Sequence, residues 1–98
     1  MELTKIFQEG KYTLVDVREP IEFSMGNAPG AINIPLGQVP TQVQRFRDMP
    51  KPLLLHCRSG ARSGQAAAFL QAQGVKDVYN VGGLDQVMYY VSTAVAQR

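Results

Sequence analysis

Six consecutive residues carry most of the chemistry in this chain: Cys57-Arg58-Ser59-Gly60-Ala61-Arg62. Cys57, the only cysteine, closes an apolar run, Leu53-Leu54-Leu55-His56. A loop of small residues and arginines follows, and then a helix-like stretch from Ser63 to Leu70. A strand that ends in a cysteine, with a tight loop curling into a helix N-terminus, builds an anion cradle around a sulfur. Backbone N–H groups in such a loop converge, and the helix end adds partial positive charge. Both effects favour thiolate over thiol, and the thiolate is the reactive form. Cys57 is thus the candidate nucleophile, provided that it is exposed, that its pKa is lowered and that an anion has room beside it.

The neighbours of Cys57 suit those conditions. Ser59, Gly60 and Ala61 are small enough for the loop backbone to approach a ligand. Gly60 can take a positive φ, which turns successive N–H groups inward. Arg58 and Arg62 bracket the loop, and guanidinium forks match the oxygens of a small anion. Ser59 and Ser63 carry hydroxyls that can bond an anion or a sulfur, but Ser63 reads first as the N-cap of the next helix. His56 does not read as a general base for Cys57. Adjacent strand residues point to opposite faces, so it should pack away from the thiol. Asp16, Arg18 and Glu22 cluster after the first strand and are expected to form a salt bridge that fixes this edge of the site. Gly82-Gly83 either lets a backbone approach the loop closely or simply makes a turn.

Composition narrows the field. Ninety-eight residues make one domain able to bury a core. The net charge is +2, and the basic residues are scattered, so neither a nucleic-acid surface nor a polybasic membrane anchor is indicated. No run approaches the ~20 apolar residues of a membrane span. One cysteine cannot form an internal disulfide, and one cysteine with one histidine cannot make an ordinary zinc site. No metal is expected. The N-terminal residues lack a signal-peptide pattern, so a cytoplasmic protein is expected. A mature periplasmic form whose signal had been removed would read the same.

The elements that must position the site alternate. Leu3, Ile6 and Phe7 share a helical face that Gly10 closes. Residues 13–17 read as a buried strand, Pro20 starts a short helix ending near Gly26, and residues 27–30 make a turn. Residues 31–35 form a short strand stopped by its proline, and Val39, Val43 and Phe46 share a helical face. Residues 53–57 are a strand, 63–73 a helix closed by Gly74, and 78–81 a strand. Leu84, Val87, Met88, Val91 and Val95 mark the clearest amphipathic helix. This order predicts an α/β domain with a mainly parallel sheet of four strands, room for a further short one near the N-terminus, and helices on both faces. Ligands of such sheets bind beyond the carboxyl ends of the strands, where Cys57, Arg18 and Gly82 fall.

Three blocks in order then give a resemblance. Asp16-Val17-Arg18-Glu19-Pro20-Ile21-Glu22-Phe23 with Gly26 and the run Pro29 to Pro35 is similar to the first signature of the rhodanese-like sulfurtransferase family. Residues 57–63 resemble its active-site loop, and Val81-Gly82-Gly83-Leu84 its third block. The chain departs at Asn27, where the family usually has histidine, and near Val87 and Met88, where it usually has tryptophan. Both positions look structural, so repacking without loss of activity is expected.

The resemblance implies a single rhodanese-like domain over residues 1–98, with a four- to five-stranded sheet. It implies sulfur transfer: Cys57 attacks the outer sulfur of a small anionic donor such as thiosulfate, holds it as a persulfide and passes it to an acceptor, cyanide in the assay. Arg58, Ser59, Gly60, Ala61 and Arg62 would receive the donor, and no cofactor is required. A protein is a further candidate acceptor. Two other readings compete. The first is a phosphatase, but related phosphatase loops are one residue longer than the four residues between Cys57 and Arg62. The second is a partner-dependent sulfur carrier or regulatory binding module without physiological thiosulfate turnover.

Overall fold

The computed structural model describes residues 2–96, so residues 1, 97 and 98 of the expected domain lie outside the described residues. In chain order the elements are α1 (Leu3–Glu9), β1 (Thr13–Asp16), α2 (Pro20–Met25), β2 (Ile32–Asn33), a 3-10 helix (Leu36–Gln42), α3 (Val43–Asp48), β3 (Leu53–Cys57), α4 (Ala61–Ala72), β4 (Val78–Gly83) and α5 (Leu84–Ala96). The described residues form one four-stranded sheet in the order β2-β1-β3-β4, with every pair parallel. The fifth strand that the resemblance allowed is not among them.

Strand alternation sorts the core into two layers. Val15 and Val17, Leu53, Leu55 and Cys57 face α4, α3 and the 3-10 helix, packing on Phe46, Ala66 and Leu70. Leu14, Leu54 and Val81 face α1 and α5, packing on Phe7, Val87 and Ala94. Side chains on one strand alternate between faces, so helices must cover both. The doubly covered sheet expected from the sequence is present.

Local chemistry moved several boundaries. The face of Val39, Val43 and Phe46 does not run along one helix: Val39 lies in the 3-10 turn and the other two in α3. Pro40 sits inside the first piece and has no N–H to continue an α-helical ladder. α4 begins at Ala61, two residues before the expected Ser63. Gly60 makes this earlier start possible by taking φ +101° as the residue before the helix, and its carbonyl accepts the Gly64 N–H at 2.9 Å. In α5, Met88 and Val95 are exposed, contrary to the expected apolar face. The helix instead leans on α1, where Tyr90 stacks on Phe7 with ring centroids 5.2 Å apart. Val87, beside the missing tryptophan, is fully buried. Asn27 donates its side-chain amide to the Phe23 carbonyl at 2.9 Å and so helps close α2.

Between β3 and β4 the register slips. Leu55 pairs with Asn80, but His56 pairs with Gly82, so Val81 is extra. A bulge of this kind bends the strand and re-aims its neighbours. Here it places Asn80 toward the loop after Cys57.

Candidate active site

Cys57 stands at the carboxyl end of β3 on the α4 side, and residues 58–60 turn directly into α4. The Gly60 N–H reaches Cys57 Sγ at 3.0 Å, and the Ser63 hydroxyl lies 3.5 Å from it. The cradle read from the sequence is therefore formed, but with two corrections. Ser63 is not the helix cap. With α4 starting at Ala61, Ser63 falls in its first turn, fully buried, with its hydroxyl beside the sulfur. Nor is the thiol exposed: Cys57 is 0 % accessible, because its strand end packs in the core layer beneath the loop.

Burial alone would push this thiol up. The Ser63 hydroxyl and the backbone N–H groups of Ser63, Gly60 and Ser59 act against burial and prevail, lowering the pKa from 9.0 to about 7. Each donor stabilises the anion more than the neutral thiol. Alkylation of Cys57 by iodoacetamide should therefore climb about tenfold per pH unit below neutrality and level off above about pH 7. A profile still climbing steeply toward pH 9.0, the ordinary thiol midpoint, would show that the donors do not act on the sulfur.

The glycines of β4 make the cradle fit. A Cβ on Gly83 would run into the Arg58 carbonyl oxygen, and one on Gly60 would lie 3.2 Å from Gly82 Cα. Of the two readings of Gly82-Gly83, close approach is the observed one. Both residues belong to β4, whose backbone lies directly under the loop.

The charged residues divide into two groups. Arg18 is buried and bidentate on Asp16, with Nη2–Oδ2 at 2.7 Å, and its Nη2 also donates to the Gly26 carbonyl at 2.7 Å. Arg62 reads in the sequence either as a fork over the anion or as a tie from the loop to a carboxylate, and the tie is the observed one: its fork engages Glu22, Nη1–Oε1 at 2.5 Å and Nη2–Oε2 at 3.0 Å. That guanidinium, helped by the Glu19 backbone N–H and opposed by burial, lowers the Glu22 carboxyl to about 2. The expected Asp16–Arg18–Glu22 cluster is thus two pairs, and the second ties α2 to the start of α4. Arg58 and Ser59 are exposed. Arg58, with Arg18, Glu22, Met25, Leu84 and Asp85, lines a cleft of about 440 Å³ beyond the strand ends.

His56 is fully buried and faces away from the sulfur, as expected from strand alternation. Its Nδ1 meets the Cys57 carbonyl at 3.1 Å and its Nε2 lies 3.7 Å from Asp16 Oδ2. Burial pushes its pKa down. Among the described residues no group of three or more His, Cys, Asp and Glu could hold a metal. No helix there is long and apolar enough to cross a membrane.

One residue at the site went unread in the sequence. Asn80 accepts from Ser63 Oγ at 2.7 Å and from the Gly82 N–H at 3.0 Å, and its Nδ2 donates to the Gly60 carbonyl at 3.0 Å.

A buried sulfur in a loop of donors, at the end of a central strand in a doubly covered parallel sheet, defines a class. Residues 1–88 match the rhodanese-like domain family, and the chain belongs to that family. It is 44% identical over 73 residues to the uncharacterised protein YqhL of Bacillus subtilis and 42% identical over 72 residues to a sulfurtransferase of Allochromatium vinosum. These matches cover 74% and 71% of this chain but only 57% and 64% of the two relatives. Among solved structures, the human single-domain sulfurtransferase TSTD1 superposes with a TM-score of 0.73 at 26% identity, covering 89% of each chain. A rhodanese with anions from Escherichia coli gives 0.69 at 34% identity, over 76% of this chain and 89% of its own.

Proposed function

We propose that residues 1–98 form one sulfurtransferase domain that moves a sulfane sulfur through a persulfide on Cys57. The supporting observation is the cradle itself: a lone cysteine with the Gly60 N–H at 3.0 Å from its sulfur and a pKa drawn down to about 7. The Cys57 sulfur is closed to solvent in this structure, so the exposed loop residues Arg58 and Ser59 must swing aside to admit a donor or an alkylating agent. The thiolate then attacks the outer sulfur of thiosulfate or a similar anionic donor. A new S–S bond forms, the donor's S–S bond breaks, and sulfite leaves with the electron pair. An acceptor, cyanide in vitro, then attacks the outer sulfur, and Cys57 leaves as thiolate. Every bond change falls on sulfur, so the cycle calls for no metal or organic cofactor.

Arg58, exposed at the cleft, receives the donor's anionic end. Backbone N–H groups of Ser59, Gly60 and Ser63 hold the thiolate, and the loop N–H groups, Ala61 among them, then hold the persulfide anion. Arg62 acts on the donor through its field and holds the loop through Glu22. A lone reduced thiol suits a reducing compartment such as the cytoplasm.

A protein acceptor is the second reading. Ile21 and Met25, one turn apart on α2, are 70% and 84% exposed, and Met25 lines the cleft. Exposed large apolar groups at a site rim are a common mark of a partner surface.

The test is intact-mass spectrometry with peptide mapping after incubation with thiosulfate, followed by cyanide. The expected result is a gain of one sulfur on the Cys57 peptide, removed by cyanide as thiocyanate. No gain on protein with a reduced Cys57 would overturn thiosulfate transfer. A gain that cyanide cannot discharge would favour the carrier with a protein acceptor.

A further inference from the structure

The orientation of the Asn80 amide is fixed by its partners. The Gly82 N–H can only donate, so it faces Oδ1, and the Gly60 carbonyl can only accept, so it faces Nδ2. Ser63 Oγ, 2.7 Å from Oδ1, must therefore donate to it. A serine hydroxyl has one hydrogen. While that hydrogen lies on Asn80 it cannot also lie on Cys57 Sγ, 3.5 Å away on the other side. With its hydrogen on Asn80, Ser63 Oγ has lone pairs free to accept from a neutral thiol, which does not call for a donor. Once the sulfur is an anion, it does.

We infer that Asn80 is a positioning residue that holds the single Ser63 hydroxyl proton away from Cys57 in the thiol form and yields it to the sulfur when the sulfur becomes an anion. The inference rests on the reading of Cys57 as the reacting sulfur. A second observation supports the fit of the amide. Gly64 stands inside α4, where glycine is less favourable than alanine. A Cβ there would lie only 3.2 Å from Asn80 Nδ2, so the helix leaves space for the amide. In the resting state Asn80 thus competes with the sulfur for its best side-chain donor.

The charged groups around the sulfur are Arg58 in the loop, Arg62 on α4 with its partner Glu22 on α2, the Asp16–Arg18 pair after β1, and Asp85 on α5. His56 lies on the opposite face of β3. None of these changes when Asn80 or Ser63 is replaced, so their fields cancel in a comparison of variants.

Because the chain has one cysteine, the pH midpoint of its alkylation by iodoacetamide reports Cys57 alone. The variants are Asn80→Ala, Ser63→Ala, the double variant and Asn80→Asp. Asn80→Ala should lower the midpoint by about half a unit or more, or about threefold in reactivity below it. Ser63→Ala should raise the midpoint, and adding Asn80→Ala to it should change nothing further. A purely structural role for Asn80 predicts the reverse, because a loosened loop loses its N–H donors and the midpoint rises. An unchanged or raised midpoint in Asn80→Ala, or an equal drop in the Ser63→Ala background, overturns the inference.

If Asn80→Ala does not fold, Asn80→Asp decides. It keeps an acceptor for Ser63 and Gly82 but loses the donor to the Gly60 carbonyl, and its charge alone raises the midpoint, so the grip on the hydroxyl is read from the part of the rise that disappears once Ser63 is alanine. No rise, or a rise indifferent to Ser63, overturns the inference. Sulfur uptake does not enter this readout, so its failure and the failure of the transfer reading are separate results.

Discussion

Cys57→Ser protein should take up no sulfur from thiosulfate, a loss of more than about a thousandfold, while unfolding near the wild-type denaturant midpoint. The two halves of this expectation have different origins. A serine oxygen can replace the sulfur as the acceptor of the Gly60 N–H, now at 3.0 Å from Sγ, so the donors that converge there keep a partner. The side chain is fully buried, and the change in volume is small. Chemistry fails because the cradle brings a thiol to about 7 from 9.0, whereas an alcohol starts so far above neutrality that the same donors leave it un-ionised. Oxygen also lacks the polarisable lone pair that attacks a sulfane sulfur. Urea midpoints and thiosulfate-dependent mass gain, measured on one preparation, check both halves. Residual uptake in a folded Cys57→Ser protein would mean that sulfur is received elsewhere. A folded state lost along with activity would mean that the cysteine is needed chiefly for packing.

The parts of this site that could be read in the sequence are the local ones. Cys57 at a strand end and Gly60 three residues later are close in the chain, and their geometry follows from strand, turn and helix rules alone. The two-layer core was legible for the same reason, since the alternation in β1 and β3 places Val15 and Leu55 on one side and Leu14 and Leu54 on the other. What escaped was made by contacts between distant residues. Arg62 meets Glu22 across 40 positions, and Asn80 meets Gly60 across 20. Within the run 78–81 Asn80 reads as an ordinary strand residue, and no sequence signal announces the extra residue that re-aims it. Ser63 was misplaced by a two-residue error in the helix start, because a positive-φ glycine and a serine cap are both good helix openers. The exposure of Met88 and Val95 shows the same limit. Periodicity marks an apolar stripe, but the angle at which α5 leans on α1 decides which part is covered.

Asp16→Ala should be the most destabilising single side-chain truncation at the strand ends, by about 3–5 kcal/mol. Asp16 is fully buried, and Arg18 is only 6% exposed. The carboxylate accepts from Arg18 Nε at 3.0 and 2.9 Å, from Nη2 at 2.7 Å and from the Arg18 backbone N–H at 2.9 Å. These bonds pull the Arg18 pKa up, against burial, so the guanidinium stays charged inside the protein. Removing Asp16 leaves that charge with the Gly26 carbonyl at 2.7 Å and, as its remaining negative neighbour, only the more distant Glu22, which is already paired with Arg62. It also removes the carboxylate 3.7 Å from His56 Nε2, an atom with no hydrogen-bond partner among the described residues. A domain of this size has about 5–15 kcal/mol of stability in all, so the loss should be visible as a large drop in the urea midpoint. The asymmetry of buried pairs supplies the control. Asp16→Ala combined with Arg18→Met removes both charges and should be more stable than Asp16→Ala alone, because an unpaired buried charge is worse than none. A single-variant loss below about 1 kcal/mol, or a double variant weaker than the single, would show that the pair is solvated like a surface bridge. The carboxyl end of β1 would then owe its shape to backbone contacts such as Val17 N–H to the His56 carbonyl at 3.0 Å.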